Sequence, residues 1–384
     1  MAITLLCGFE TGHANADGLN LSGTCSVTSS VSRSGSYSLR SNPTTSTGYL
    51  SFSVRLAGGS TPNSFASLRF HLRIDQLPSI TTNIADVGGG RIKLSNTGQV
   101  GWFDLATTTF STNTLAADSS WSMIEVWQDV DGVHIDVNGA NWVIHASSLS
   151  PQITMYLGVY ITNSTADLYF DDVMACDTAT LQFRGSSKQV ILLPTADPGA
   201  LNSWTNGGGG TTSIFEGVNN RPPVGAAAST DGIKIKNAAS GGNLDYTPTM
   251  QTYIAAGVPV GSTVNAVMAI CNDGEEASTA TKVGSVWVAS NPAQAAAGTS
   301  FDYGNDGGAL GTFPTLWSVH RGPVAVAPSV TLATAPTMTV RKTTSTTRVV
   351  DVDFMGIYVD YTPPAPLTGS SAPIANAFPQ IVRT

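Results

Sequence analysis

MIEVWQDVDGVHIDV, residues 123 to 137, decides how this chain folds. Apolar and polar residues alternate on both sides of a central Asp131-Gly132, and a period of two is the mark of a half-buried strand. Asp-Gly between two such runs signals a two-residue hairpin turn. Read that way, Val130 opposes Val133, Asp129 opposes His134, Gln128 opposes Ile135 and Trp127 opposes Asp136. Opposed residues share a face. Ile124, Val126, Val130, Val133, Ile135 and Val137 then point into a core. Glu125, Trp127, Asp129, His134 and Asp136 point away from it, as a polar face with one large aromatic.

The same pattern extends in both directions. In LRFHLRI, Leu68, Phe70, Leu72 and Ile74 share one face and His71 lies on the polar side. YLSFSVRL places Leu50, Phe52, Val54 and Leu56 together. RIKLS, ITMYLGVYI and DLYFDDVMA add strands, and after residue 180 so do GIKIKNA, STVNAVMAIC, VGSVWVA, TMTVRK and RVVDVDFMGIYVDY. Helical signals are confined to two short alanine-rich pieces, PVGAAAST and NPAQAAAG. Many short strands joined by turns define an all-β chain of sandwich or jelly-roll type. Its 384 residues suit two domains. The expected division is 1–180, 181–362 and a proline-containing arm, 363–384, whose prolines keep it out of a regular sheet.

Charged residues are 11% and hydrophobic ones 41%, which excludes a disordered chain. Net charge is −8 with no basic cluster, so nucleic acid is not an expected partner. MAITLLCGFETG lacks the basic start and apolar run of a signal peptide. No stretch approaches the ~20 apolar residues of a membrane-spanning helix. The four cysteines form no CxxC pair, which speaks against zinc. Buried free thiols are the favoured state; a Cys7–Cys176 disulfide is the alternative.

Four landmarks of the first half carry a resemblance: CGFETG (7–12), SRSGSYSLRS (32–41), WSMIEVWQDVDGVHIDVNG (121–139) and LGVYITNSTADLYFDDVMACD (157–177). In order and spacing they resemble the concanavalin A-like, laminin-G-like jelly rolls of bacteriophage virion proteins. GSSKQVILLPTADPG, NSWTN, IFEGVNNRPP and RVVDVDFMGIYVDY are similar to a region that follows such domains in tailed-phage structural proteins. The resemblance implies a non-enzymatic virion component on the outside of capsid or tail, as a decoration or minor structural protein. Its expected partners are other virion proteins and further copies of itself. The alternative it implies is a carbohydrate-binding receptor-recognition or adhesion protein that takes host-surface glycans. Similar jelly rolls hold a structural calcium through a Glu in a GFE motif and an Asp in a DD motif. The matching residues here are Glu10 and Asp171, with Asp172 as alternate.

The residues set their own limits on chemistry. Alternation sends Asp171 and Asp172 to opposite faces, so they are no matched acid/base pair. Two carboxylates need several carbonyl oxygens beside them to bind calcium; otherwise they hydrogen-bond backbone. The face of Glu125, Trp127, Asp129, His134 and Asp136 combines an aromatic platform with planar polar groups, as sugar sites do. The same face is also suited to burial against a neighbouring subunit. Tyr156 and Tyr160 are expected to join it. Glycoside hydrolysis needs carboxyls ~5–5.5 or ~6.5–9.5 Å apart. Glu125 and Asp129 stand ~13 Å apart along a strand, and Trp127 occupies the position between them. No HExxH, GxSxG or P-loop is present.

Overall fold

A computed structural model describes residues 3–12, 19–44, 47–52, 65–160, 164–180, 187–206, 213–219, 235–237, 239, 244–275, 284–289, 300–302, 318–321, 325–326, 330–342 and 350–365. PVGAAAST, NPAQAAAG and the arm beyond residue 365 lie outside these. The described residues form an all-β fold of several antiparallel sheets. No helix among the described residues is long and apolar enough to cross a membrane.

The first half carries two antiparallel sheets. One runs Ala140–His145, Gly132–Val137, Trp121–Asp129, Ser67–Gln76, Asp167–Cys176, Ser38–Ser41, Cys25–Thr28, with Ile3–Cys7 also paired to Asp167–Cys176. The other runs Thr108–Thr114, Gln99–Phe103, Gly90–Leu94, Thr82–Val87, Met155–Tyr160, Gly48–Phe52, Leu19–Gly23. Their facing residues form one core, which includes Leu68, Phe70, Leu72, Ile74, Leu50, Trp102 and Phe170. Alternation therefore places LRFHLRI as expected. Of the YLSFSVRL set, Val54 and Leu56 lie outside the described residues.

The hairpin that opened the reading forms, one step out of the expected register. Asp129 opposes Gly132, Trp127 opposes His134, and Glu125 opposes Asp136. Val130 and Asp131 make the turn, and the positive φ, 125°, falls on Gly132. A turn followed by a positive-φ glycine is a common alternative to the two-residue hairpin. Opposed residues shift by two in total, so the two faces keep their members. The exception is Val130, which sits at the tip and is fully exposed instead of buried. A second hairpin follows at Asn138-Gly139, with φ of 52° and 79° and Val137 opposite Ala140.

In the second half, Lys188–Leu192, Val350–Thr362, Thr263–Glu275 and their neighbours form a large sheet. Leu244–Tyr246, Thr337–Lys342, Gly284–Ala289 and Ser300–Asp302 form a smaller one. A second core that includes Trp204, Tyr246, Val267, Val340 and Ile357 belongs to this half. A third core lies between the halves. Ile3, Leu6, Met174 and Cys176 come from the first sheet's outer face; Ile191, Met268, Ile270, Phe354 and Tyr358 come from the large sheet of the second half. These strands are covered on both faces. That is why QVILL, AVMAIC and FMGIYV read as nearly unbroken apolar runs rather than alternating ones.

All four cysteines are buried thiols, none of them in a disulfide. Cys7 is opposite Val173 and lines the first core, whereas Cys176 lies on the other face in the third. The two thiols point apart, which corrects the alternative of a disulfide between them.

Candidate binding face

Strand Asp167–Cys176 changes neighbours part-way along. Residues 168–170 pair with Ser38–Ser41, and residues 173–176 pair with Ile3–Cys7. The double acid falls in the gap, at a bulge where Asp172 takes φ 51°. The bulge overrides alternation, so both carboxylates reach the same segment and the expectation of opposite faces fails. Asp171 accepts N–H bonds from Arg33 (2.7 Å) and Ser34 (3.3 Å). Asp172 accepts from the Arg33 guanidinium, the Ser34 hydroxyl and the Gln189 N–H, the last at 2.7 Å. Glu10 accepts the N–H groups of Ser36 (2.9 Å) and Tyr37 (3.2 Å). Gly35, at φ 58°, permits this turn; a Cβ there would lie 2.1 Å from the Glu10 carboxyl carbon. Thus CGFETG, SRSGSY and FDDV meet at one junction.

This junction does not fit a calcium ion. Glu10, Asp171 and Asp172 face N–H donors and a guanidinium, where calcium requires a cage of oxygens. Among the described residues no group of three or more His, Cys, Asp or Glu is gathered for a metal. Burial first, and then Asp172, holds the Asp171 carboxyl well above the usual range. Millimolar calcium, or its removal by EDTA, is expected to leave the thermal midpoint of the protein unchanged; a calcium-dependent rise would show that the junction rearranges around the ion.

The junction also binds the second half. Arg33 donates to the Ser187 carbonyl at 2.6 Å, Glu10 N–H to the Tyr358 hydroxyl at 2.9 Å, and Gln189 Nε2 to the Val173 carbonyl at 3.1 Å. Nearby, Arg69 meets Asp360 at 2.7 Å, with both side chains buried. His71 faces the polar side as expected but is buried too. Burial, followed by Arg33, Arg69 and Lys188, pushes its pKa well below the ordinary value.

Beyond this joint the outer face of the first sheet continues onto the edge hairpins, where the five expected residues come together. The Trp127 indole stacks on the His134 imidazole, with centroids 4.4 Å apart and planes 15° apart. His134 is buried while Trp127 stays partly exposed, so the indole overlies the imidazole. Trp127 Nε1 donates to Asp136 Oδ2 at 2.9 Å. Asn141 Nδ2 reaches both Asp136 Oδ1 (3.0 Å) and His134 Nδ1 (2.7 Å). With both amide hydrogens donated, His134 Nδ1 accepts and Nε2–H donates to Asp129 Oδ1 at 2.7 Å. Asn141 was missed, although the Asn138-Gly139 turn signals the strand that carries it. Ile144, opposite His134 and 51% exposed, extends the strip by one strand. Tyr156 and Tyr160 do not join this face. They belong to the other sheet, on the far side of the first core.

Glu125 sits at the inner end of the strip, between Arg69 and Asp136 on the neighbouring strands. Burial raises its pKa to about 7, with Arg69 opposing and Asp136 adding. Its nearest carboxylate is thus Asp136, across the hairpin, and not Asp129. Glu125 is 2% exposed and Asp136 3%. Both Asp136 oxygens hold protein donors.

An all-β stack of sheets with an aromatic and polar face on its edge hairpins defines the class of this protein. No family profile matches the sequence, and no curated protein matches it. Solved structures resemble parts of it in fold alone. One is the binding domain of botulinum neurotoxin serotype D, at 10% identity and TM-score 0.31 over 42% of this chain and 43% of that one. Another is domain 4 of an extracellular arabinanase from Geobacillus stearothermophilus, in complex with arabinotriose, at 12% identity and TM-score 0.34 over 47% and 94%. A third is a carbohydrate esterase of the Shiga toxin-encoding bacteriophage phi24B, at 12% identity and TM-score 0.32 over 44% and 94%. The chain therefore spans less than half of the neurotoxin domain and nearly all of the other two.

Proposed function

We propose that this chain is a non-enzymatic carbohydrate-binding protein of a tailed-phage particle, displayed on the outside of capsid or tail, and that its first module takes host-surface glycans on the Trp127 face. The observation that carries the reading is the Trp127 indole laid over His134 and ringed by Asp129, Asp136 and Asn141. The network holds the ring in one orientation before a ligand arrives, which lowers the entropy cost of stacking a sugar on it. Asp129, half-exposed at the strip's end, is placed to accept a sugar hydroxyl. Hydrolysis finds no support at Glu125 and Asp136, because neither carboxyl is open to a glycosidic oxygen. The assignment to a phage particle is drawn from the landmark motifs.

The test is a tryptophan-fluorescence titration of the whole protein with a panel of soluble bacterial-surface oligosaccharides. Saturable quenching is expected, and Trp127→Ala is expected to lose it while keeping the thermal midpoint. Quenching that survives in Trp127→Ala would refute this site.

A second reading is favoured by Ile144 and Val130, apolar and exposed beside the same strip. They suit burial against another virion protein or another copy of this chain, as in a structural component of the particle. Light scattering across a concentration series separates the two: a stable oligomer that Ile144→Asp dissociates supports burial.

A further inference from the structure

The far side of the first module carries a second aromatic face that the Trp127 reading does not use. On strand Met155–Tyr160, residues 156, 158 and 160 point outward together, because Leu157 and Val159 fill the core. The rings of Tyr156 and Tyr160 stack at 4.3 Å over Gly158. Tyr49, opposite Gly158, meets them edge-on at 5.7 and 4.8 Å. The row continues across the sheet: Tyr156 opposes Asp86, Asp86 opposes Arg91, and Arg91 opposes Phe103. From Tyr49 to Phe103 the strip crosses five strands, or roughly 19 Å at the usual strand spacing. All of these side chains are partly exposed.

The chemistry selects the occupant. The centre of the strip is polar and planar: Arg91 pairs with Asp86 at 3.3 Å, and Gln152 donates to Asp86 at 3.1 Å. Lys93 lies 4.0 Å over the Phe103 ring. Arg91 is paired with Asp86, which leaves Lys93 as a single cation, and an anionic polymer needs clustered free cations. None of the side chains in the strip is aliphatic, and rings set among planar polar groups are the make-up of a sugar site. Asn83, opposite Tyr160, donates its Nδ2 to the Tyr160 carbonyl at 3.3 Å. Aromatic edges at both ends, planar amide, carboxylate and guanidinium groups between them, and no cluster of unpaired charge match a neutral, hydroxyl-rich chain.

We propose that the Tyr49–Tyr156–Tyr160 to Phe103 strip is a second binding site, for a neutral polysaccharide several sugar rings long. It is independent of the Trp127 face, so the protein engages glycan on two opposite sides.

Affinity electrophoresis of the full chain in gels containing hydroxyethylcellulose, xylan, arabinan or dextran tests this, with heparin as the anionic comparison. At least one neutral polymer is expected to retard both the wild type and Trp127→Ala. Tyr156→Ala/Tyr160→Ala and, separately, Phe103→Ala are expected to lose affinity roughly tenfold, the size of one aromatic stacking contact. Their thermal midpoints report folding, and Phe103→Ala stands alone should the double variant misfold. Wild type unretarded by all four neutral polymers, stronger retardation by heparin, or equal retardation of wild type and both variants overturns the proposal. Retardation lost in Trp127→Ala but kept in the tyrosine and Phe103 variants would place the ligand on the Trp127 face instead, separating the two sites.

Discussion

Arg69→Met is expected to cost about 3–5 kcal/mol of folding stability, because it strands a buried carboxylate. Asp360 is fully buried and accepts from Arg69 at 2.7 Å, from the Ser187 hydroxyl at 2.5 Å and from Asn265 at 2.8 Å. Without the guanidinium, two neutral donors must stabilise a full charge in a dry joint. The pair also ties strand Ser67–Gln76 of the first half to strand Val350–Thr362 of the second. Weakening it is therefore expected to uncouple the two outer cores, and urea unfolding should broaden or split into two phases. The control is Arg69→Met/Asp360→Asn, which removes both charges and keeps an acceptor oxygen. It is expected to be more stable than Arg69→Met alone, since no uncompensated charge remains. A double variant that loses the sum of two independent penalties would show that the ion pair is not what holds the joint.

That joint marks where the sequence stops being legible. Alternation revealed the core residues of LRFHLRI and both faces of the 123–137 hairpin, because one face of each strand meets only the first core. The turn was misread because Val130 resembles a strand residue and Asp131-Gly132 resembles a complete two-residue turn. In the folded chain Gly132 alone supplies the positive φ. The faces survived because the register moved by two in total. Asn138-Gly139 was a stronger turn signal than the one that was read, and it would have located Asn141. Local pattern carried no information about what covers the outer face. Arg69, His71 and Glu125 alternate with apolar residues just as solvated side chains do, yet all three are buried. Arg69 finds its partner 291 residues away. The double acid was visible, but its role was not, since a bulge between two neighbouring strands undoes the alternation from which opposite faces were expected. In the candidate site, the five side chains were legible as one face, and the hydrogen bonds that lock Trp127 were not.

Glu125 is expected to make the stability of this protein depend on pH between 4.5 and neutrality. Its folded pKa is raised from 4.5 to about 7, by burial first, with Asp136 adding and Arg69 opposing. A carboxyl whose pKa rises on folding prefers the fold when protonated. Its contribution is therefore fully present below pH 4.5 and is lost as pH climbs through 7, a loss of about 3 kcal/mol. Glu125→Gln keeps the shape and removes the titration. The variant is expected to match the wild type at pH 4 and to exceed it by about 3 kcal/mol at pH 8, measured by urea unfolding across that range. Asp171 is shifted in the same direction, but it is present in both proteins, so the difference curve isolates Glu125. A flat difference curve would mean that Glu125 is ionised at little cost, stabilised by Arg69. The effect reaches the binding face through Asp136, which opposes Glu125 and holds the indole N–H of Trp127. As Glu125 ionises, a second negative charge develops beside Asp136 and strengthens it as an acceptor for that N–H. Trp127 emission is then expected to shift with a midpoint near pH 7 in the wild type, and Glu125→Gln is expected to remove that component of the shift.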